Sequence, residues 1–243
     1  MAHRFGLIGR PVGHSFSQRY FEMKWRDTGV ADRRYSLCEL SAIDLLPQLL
    51  EREQLDGFNV TAPYKTAILP LLDRLTDEAR EVGAVNCVAV TPTGLMGHNT
   101  DCQAFADTLK PLLKPWHTSA LVLGTGGASR AVAVALRRLG ISHTKVSRTP
   151  SDGTVGYPEA VGLASSNLLI INATPVGMAP RTDASPWPVP EALTPRHLVC
   201  DLIYNPSPTL LMRQAAQRGA ATADGLAMLH RQADLSEDFW LSL

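Results

Sequence analysis

Residues 121–130 have the sequence Leu-Val-Leu-Gly-Thr-Gly-Gly-Ala-Ser-Arg, in which an apolar strand leads into a glycine-rich turn and the start of a helix. Gly124 allows the tight bend, Gly126 lets the backbone approach a pyrophosphate, and Ser129 is small enough for close helix–strand packing. The amides at the start of the helix would then face phosphate groups. The pattern is typical of a dinucleotide-binding unit, although an ordinary strand-to-helix turn can have the same glycines.

Strand and helix patterns alternate on both sides of this turn. After it, apolar strands are predicted at 143–147, 168–172, 198–202 and 221–223. Before it, strands are predicted at 5–8, 35–38 and 57–60, and helices at 17–28 and from about residue 44. A hairpin around Pro92-Thr93-Gly94, a connecting helix at 102–114 and a C-terminal helix at 226–241 complete the pattern. The sequence therefore predicts two α/β domains, the second with a doubly wound sheet.

Composition limits the classes of function. The 243 residues are 45% hydrophobic, and Lys plus Arg equals Asp plus Glu at 23 each, so we expect real cores and no binding to nucleic acid. No apolar run is long enough to cross a membrane or to form a signal peptide, which predicts a cytoplasmic protein with a small-molecule partner. The cysteines lack disulfide or metal-ligand spacing, so we expect no metal and assign all four to the core: Cys38, Cys87, Cys102 and Cys200.

A candidate for proton transfer follows the predicted strand at 57–60. Lys65 lies just beyond that strand, and a lysine becomes an effective proton donor when burial or a nearby charge adjusts its pKa. Asp101 can supply the nearby charge, although it could also cap the helix that follows. The histidines His14, His98 and His230 have no carboxylate at a telling spacing, so packing is favoured over catalysis for them.

The end of the strand at 143–147 bears on the choice of cofactor. NAD-specific folds place an acidic residue at this point, whereas this chain has Ser147-Arg148-Thr149. Arg148 can pair with a 2′-phosphate and stack on adenine, so NADP (NADPH) is the expected cofactor; a solvated arginine is the alternative. Asp152 lies close by in the sequence and should weaken the preference, which leaves some use of NAD open.

A series of motifs in one consistent order makes the chain resemble the shikimate dehydrogenase family. The matching segments, besides the glycine turn, are residues 9–17, 57–65, 83–86, 99–101, 172–178, 201–206 and 224–233. The resemblance implies a reversible reduction of 3-dehydroshikimate to shikimate in aromatic amino acid biosynthesis. Members that use quinate share most of these motifs. An NAD-tolerant quinate or shikimate dehydrogenase and a non-catalytic ligand sensor are therefore the alternatives.

The resemblance also implies roles for individual residues. Lys65 and Asp101 are catalytic; which of the two is the formal acid stays open. The substrate-binding candidates are Ser15, Ser17, Thr61, Lys65, Asn86, Asp101, Tyr204 and Gln232. The cofactor-binding candidates are Gly124, Thr125, Gly126, Gly127, Ala128, Ser147, Arg148, Thr149, Thr174, Leu202, Gly225 and Asp77. Several of these have other possible roles. Ser17 could cap the helix that follows it, and Asp77 is typical of the first turn of a helix. Asn86 could satisfy its own turn, and Thr174 and Leu202 could serve ordinary turns and packing.

Domain bounds follow from the same resemblance. We expect a substrate-binding catalytic domain at 1–103, a Rossmann-like NADP-binding domain at 104–225, and a C-terminal segment, 226–243, that packs back on the first domain, in a monomer or homodimer. Two departures stand out. The family's usual asparagine before Arg148 is Ser147, with no second basic residue soon after it. The usual proline and histidine after Ser17 are also replaced, which predicts altered helix packing there.

Overall fold

The computed structural model describes residues 2–13 and 15–243, so His14 lies outside the described residues. The chain forms two compact units. The first contains the residues up to Asp101 together with His230–Leu243, and the second contains Cys102–Leu229. The C-terminal helix therefore returns to the first unit, as the sequence predicted.

The first unit contains a six-stranded mixed sheet. Its strands are β1 (His3–Gly9), β2 (Arg33–Glu39), β3 (Gly57–Val60), β4 (Arg74–Leu75), β5 (Cys87–Thr91) and β6 (Gly94–His98). They lie in the order β2-β1-β3-β5-β6-β4, with β1 parallel to β2 and β3, and β5 antiparallel to β3 and β6. The predicted hairpin is confirmed as the β5–β6 pair. Strand β4 was not predicted, because two residues are too short to produce a pattern.

Helices cover both faces of this sheet. They include α1 (Ser17–Asp27), α2 (Leu46–Glu53) and α3 (Asp77–Val82). Side chains alternate along β1, so that Phe5 and Leu7 pack in one cluster with Phe21 of α1, whereas Ile8 packs in another with Leu46 of α2. Because β1 is buried on both sides, its sequence is almost continuously apolar.

The second unit contains a six-stranded parallel sheet. Its strands are β7 (Ser119–Leu123), β8 (Ser142–Val146), β9 (Thr154–Val155), β10 (Leu169–Asn172), β11 (Leu198–Asp201) and β12 (Ala221–Ala223). They lie in the order β12-β11-β10-β7-β8-β9. The strand order reverses at β7, which is the doubly wound Rossmann-like arrangement that the sequence predicted. Strand β9, again of two residues, was not predicted.

The helices of the second part of the chain are α4 (Asp101–Leu109), α5 (Gly127–Arg138), α6 (Tyr157–Leu163), α7 (Leu210–Gln217) and α8 (Leu226–Leu241). The predicted helix at 102–114 is wrong at its C-terminal end. Helix α4 ends at Leu109 and a 3-10 turn follows at Lys110–Leu112, because Pro111 has no N–H and its ring would clash with a helical carbonyl. Helix α8 has the predicted bounds.

Core packing in the second unit follows the parallel sheet. Leu121, Val146 and Ile170 lie in one cluster with Leu211 of α7. All four cysteines are free and buried, which confirms their assignment to the core. Within residues 2–13 and 15–243, no three His, Cys, Asp or Glu side chains are grouped in a way that could hold a metal ion. In the same part of the chain, every helix is too short or too polar to span a membrane.

Candidate active site

The two candidate catalytic residues are in direct contact. Lys65 Nζ lies 2.6 Å from Asp101 Oδ2, and the two side chains are 20% and 6% exposed. Lys65 belongs to the segment that follows β3, and its carbonyl accepts a hydrogen bond from Val85 N at 2.7 Å. Asp101 is the first residue of α4. The lysine amine is thus held beside a buried carboxylate, an arrangement that can deliver a proton to a bound molecule.

Asn86 binds the other oxygen of Asp101. Its Nδ2 donates to Asp101 Oδ1 at 3.0 Å and approaches Gln232 Oε1 at 3.4 Å. The orientation of the Asn86 side-chain amide is fixed, because its Oδ1 accepts a hydrogen bond from the backbone N–H of Thr100 at 2.7 Å, and a rotation that exchanged Oδ1 and Nδ2 would break this bond. The structure therefore brings together four of the substrate-site candidates, Lys65, Asn86, Asp101 and Gln232.

The two serines near the start of α1 are also adjacent. Ser15 Oγ donates to Ser17 Oγ at 3.2 Å, and the backbone N–H of Ser17 donates to Ser15 Oγ at the same distance. The hypothesis that Ser17 caps α1 is wrong. Ser17 is already the first helical residue, and the residue that flanks the helix is Phe16, which forms no side-chain capping hydrogen bond. Two neighbouring hydroxyls can bind one carboxylate.

Thr61 begins the turn that leads from β3 to Lys65. Its N–H donates to Ile8 O at 2.8 Å and its carbonyl accepts from Tyr64 N at 2.9 Å. A Cβ at Gly9 would lie 2.3 Å from Thr61 Cγ2, so the loop after β1 and the loop after β3 are in close contact. The chain at Gly9 and the chain at Thr61, which are far apart in sequence, therefore meet at the carboxyl ends of the parallel strands β1 and β3.

A buried polar network behind these residues was missed from the sequence. Asn59 Nδ2 donates to Asn86 O at 3.1 Å and to Ser236 Oγ at 2.8 Å, and Ser236 Oγ donates to Gln232 O at 2.7 Å. Tyr35 donates to Asn59 Oδ1 at 2.8 Å, and burial raises the pKa of Tyr35 well above its ordinary value, which keeps the hydroxyl a donor. A polar residue in the otherwise apolar strand β3 was the available signal for Asn59.

In the second unit, the glycine-rich turn has the geometry of a phosphate site. Gly124 has φ +108°, and a Cβ there would lie 3.0 Å from Thr174 Cγ2. Gly126 flanks the N-terminus of α5, and, apart from its chain neighbours, none of the residues that the structure describes comes within 4 Å of the position of its missing Cβ. Ser129 Oγ donates to Gly124 O at 2.6 Å and closes the turn. The space beside Gly126 and the first amides of the 12-residue α5 fit a pyrophosphate.

Two further parts of the proposed cofactor site lie at carboxyl ends of strands in the same unit. After β8, Ser147 Oγ accepts from Thr149 N at 3.2 Å, and Arg148 between them is exposed. After β11, a Cβ at Gly225 would lie 2.1 Å from Leu202 O, so only glycine allows this contact. Tyr204 belongs to the second unit and the serines belong to the first, so its place in the carboxylate site stays a prediction.

Asp77 is the first residue of α3. Its carboxylate pairs with Arg80 Nη1 at 2.7 Å, one helical turn further on, and Thr76 caps the helix by accepting from Ala79 N at 3.2 Å. These contacts are those of a charge in the first turn of a helix. A role for Asp77 in binding the cofactor stays a prediction.

Comparison with known proteins decides the family. Residues 7–88 match the model of the shikimate dehydrogenase substrate binding domain. The curated shikimate dehydrogenase (NADP(+)) of Microcystis aeruginosa is 36% identical, over 97% of this chain and 90% of that protein. The chain belongs to the shikimate dehydrogenase family.

Solved structures agree. Shikimate dehydrogenase 1 of Peptoclostridium difficile has a TM-score of 0.89 and 32% identity, with 99% of this chain and 92% of that chain covered. The Thermus thermophilus shikimate 5-dehydrogenase, solved in complex with NADP(H) and shikimate, has a TM-score of 0.88 and 35% identity, with 99% and 94% covered.

In α1, Tyr20 and Phe21 stand where shikimate dehydrogenases usually have a histidine, and Tyr20 contacts helix α8. The ring of Tyr20 stacks on His230 with centroids 4.4 Å apart, and its hydroxyl donates to Asp234 Oδ1 at 2.8 Å. Burial and this hydrogen bond raise the pKa of Tyr20 to about 12. His98 stacks on Phe239 at 4.6 Å, and burial lowers its pKa. Both histidines therefore pack against aromatic rings, as expected.

An ion cluster joins α1, β2 and α8, and consists of Lys24, Arg33, Asp234 and Glu237. Lys24 Nζ lies 2.5 Å from Asp234 Oδ1 and 2.7 Å from Glu237 Oε2. Arg33 pairs with Glu237 Oε1, which also accepts from Trp25 Nε1 at 2.6 Å. Since Gln232 is on the same helix as Asp234 and Glu237, this ion cluster holds the helix that carries one of the candidate substrate-binding residues.

Proposed function

We propose that this chain is an NADP-dependent oxidoreductase that reversibly reduces 3-dehydroshikimate to shikimate in the shikimate pathway of aromatic amino acid biosynthesis. The main support is the contact of 2.6 Å between Lys65 and Asp101, which lies within a group of buried polar side chains. The membership of the chain in the shikimate dehydrogenase family supports the same function. In this proposal the first unit binds the substrate and the second binds the cofactor.

The residues of the second unit fit NADP. Backbone amides at the start of α5 would bind the pyrophosphate, with Thr125, Gly127 and Ala128 forming the turn beside it. Arg148 would bind the 2′-phosphate, with Ser147 and Thr149 on either side. Thr174, Leu202 and Gly225 would line the nicotinamide. Bound NADPH supplies the hydride that reduces the substrate ketone.

The residues of the first unit handle the substrate and the proton. Ser15 and Ser17, with Tyr204, would bind the substrate carboxylate, while Thr61, Asn86 and Gln232 would bind ring hydroxyls. Protonated Lys65 stabilises the alkoxide that develops on the former ketone oxygen and donates a proton to it. Asp101 orients the lysine and accepts a hydrogen bond from a substrate hydroxyl. In the reverse direction the neutral amine takes the proton back.

A second candidate is an NAD-tolerant quinate or shikimate dehydrogenase. It is favoured by Ser147, whose hydroxyl is engaged with Thr149 at 3.2 Å and 3.0 Å, and which stands in place of the asparagine usual in the family. Arg148 is followed by Pro150 to Gly153, without a second cation. A non-catalytic sensor is disfavoured, because it would not need the Lys65–Asp101 pair.

One assay distinguishes these functions. Absorbance of the reduced nicotinamide is followed with NADPH and with NADH, each with 3-dehydroshikimate and with 3-dehydroquinate. We expect turnover with NADPH and 3-dehydroshikimate to exceed that of the other three combinations. Equal rates with NADH or with 3-dehydroquinate would favour the second candidate, and binding without turnover would establish a sensor.

We also infer that the protein works in the cytoplasm, with small-molecule partners only, as a monomer or homodimer. Four free buried thiols suit a reducing compartment. Sedimentation equilibrium would separate the two oligomeric states.

A further inference from the structure

Asp201, the last residue of β11, is a buried carboxylate. It is 1% exposed and accepts three hydrogen bonds. Asn172 Nδ2 at 2.9 Å and Ile203 N at 3.1 Å donate to Oδ1, and Thr209 Oγ1 at 2.8 Å donates to Oδ2. Among residues 2–13 and 15–243, no lysine or arginine forms an ion pair with it. Only neutral groups among the described residues donate to this carboxylate. Burial of a carboxylate without a cation beside it costs free energy of folding, so the arrangement calls for an explanation.

Asn172, at the end of the neighbouring strand β10, links Asp201 to Thr174 through hydrogen bonds of its side-chain amide. Its Oδ1 accepts from both the N–H of Thr174 at 2.9 Å and the hydroxyl of Thr174 at 2.6 Å. The amide orientation is therefore fixed on both sides. If it were turned over, its NH₂ group would face the Thr174 N–H, and its oxygen would face the carboxylate.

The chain of contacts ends at the glycine-rich turn. With its hydroxyl turned to Asn172, Thr174 places Cγ2 beside Gly124, 3.0 Å from the position of the missing Cβ. Thr174 Oγ1 also accepts from Val176 N at 3.2 Å, which holds the loop after β10 in place. A shift of the Asn172 amide would therefore move the loop that borders the glycine-rich turn.

We propose that Asp201 is a positioning residue for the nicotinamide end of the cofactor site, because its carboxylate orients Asn172 and Asn172 orients Thr174. This inference rests on the proposed function, in which Thr174 lines the nicotinamide. The proposed 2′-phosphate site at the other end of the cofactor, formed by Arg148 with Ser147 and Thr149 after β8, has no share in this chain of contacts.

Asp201 has a second, separate contact that provides a control. Thr209 caps α7 by accepting from Met212 N at 3.3 Å and donates to the other carboxylate oxygen. Thr209→Ala removes this contact and the cap, and should lower stability. It leaves the contacts of Oδ1 with Asn172 in place. A purely structural role of Asp201 would make Asp201→Ala behave like Thr209→Ala.

Calorimetry at neutral pH with two ligands tests the proposal. NADP⁺ occupies the whole site, whereas 2′,5′-ADP lacks the nicotinamide. Asp201→Ala should raise the Kd for NADP⁺ about tenfold, the effect of losing a hydrogen bond to a charged group, and should change the Kd for 2′,5′-ADP much less, so that the ratio of the two Kd values rises. Asp201→Asn should restore the affinity, because its amide oxygen can still accept from Asn172. Thr209→Ala should lower the Tm and change neither Kd.

Several results would overturn the proposal. One is an unchanged ratio of the two Kd values in Asp201→Ala, and another is an equal loss in Asp201→Asn and Asp201→Ala. If Asp201→Ala does not fold, Asn172→Ala should give the same rise for NADP⁺ alone, and an unchanged ratio there would refute the proposal. A wild-type protein that binds neither ligand would refute the proposed function and this inference together, whereas binding of both with no change in ratio would refute this inference only.

Discussion

The two candidate sites are constructed differently. In the first unit, the side chains of Lys65, Asp101 and Asn86 contact one another directly, and Asp101 is nearly fully buried. In the second unit, the proposed phosphate site would be formed by backbone around Gly126 and by the exposed side chain of Arg148. The first site is a coupled network, in which each side chain sets the orientation of the next. The second consists of parts that act more independently.

This difference determines what a substitution should do. Removal of one member of a coupled network disturbs the others, so losses should fall on the chemical step and should not combine multiplicatively. Removal of an exposed contact to one end of a ligand should change affinity for that ligand and little else. The predictions below test each half of this comparison, in order of decreasing effect.

The largest effect is expected for Lys65→Ala. Loss of the proton donor should lower kcat by about 10²–10⁴-fold, with little change in KM for the substrate. Lys65→Arg is the matched control, because it keeps the charge beside Asp101 but cannot release its proton, and its kcat should also stay low. Steady-state kinetics measure both. A near-normal kcat in Lys65→Ala would exclude a catalytic role for this lysine.

Next in size is the effect of Glu237→Gln on stability. Loss of this buried carboxylate leaves Arg33 without its carboxylate partner and leaves Lys24 with Asp234 alone. The free energy of unfolding should therefore fall by about 3–5 kcal/mol at neutral pH. Glu51→Gln, at an exposed position of the same unit, should have almost no effect. Urea unfolding followed by circular dichroism measures both variants, and similar curves for the two would show that the ion cluster does not hold α8.

The same variant has a defined pH dependence. Burial raises the pKa of Glu237, but hydrogen bonds from Lys24 and Trp25 and the nearby charges outweigh it, so the pKa is lowered overall. The stabilisation is therefore present above the ordinary glutamate pKa and is lost as pH falls through the lower folded-state value. The difference in the free energy of unfolding between the wild type and Glu237→Gln should therefore become smaller at acidic pH. A constant difference would contradict this cause.

A smaller effect is expected for Arg148→Ala, in the second unit. Loss of a charge-assisted hydrogen bond to the 2′-phosphate should raise KM for NADPH roughly ten- to a hundredfold and leave NADH kinetics nearly unchanged. Arg218→Ala is a suitable control. Arg218 lies before the amino end of β12, whereas the proposed cofactor site lies at the carboxyl ends of the strands. An unchanged ratio of NADPH to NADH use in Arg148→Ala would exclude this role.

The smallest effect is expected for Ser15→Ala. Its hydroxyl would contact the substrate carboxylate in both ground and transition states, so KM for shikimate should rise about three- to tenfold while KM for the cofactor stays the same. Ser17→Ala should act similarly. If both variants keep the wild-type KM for shikimate, the carboxylate binds elsewhere.

Elements with a strong local pattern could be predicted from the sequence. Strand β3 and helix α8 have the predicted bounds, because an apolar run or an amphipathic repeat specifies each one. The early end of α4 was missed because the effect of Pro111 was overlooked, although it was visible in the sequence. Strands β4 and β9 were missed because two residues carry no periodicity.

The candidate site could be predicted only in part. Motifs identified Lys65 and Asp101, but their contact depends on the fold, since they are 36 residues apart. The Asn59–Ser236 hydrogen bond joins residues 177 apart and has no local pattern at all. The orientation of Asn172 has no local pattern either, because it depends on Asp201 at the end of the neighbouring strand β11 as well as on Thr174 in the loop after β10. Contacts of this kind arise from tertiary packing, which a single sequence does not display.

The coupling of Lys65 and Asp101 is the central claim, and a kinetic double-mutant cycle tests it most directly. The kcat/KM for 3-dehydroshikimate is measured for Lys65→Ala, Asp101→Ala, the double variant and the wild type, with cofactor affinity checked by fluorescence. We expect Asp101→Ala to lower kcat and raise KM, and the double variant to lose much less than the product of the two single losses. Strictly multiplicative losses would contradict the account, because they would show that the two residues act independently.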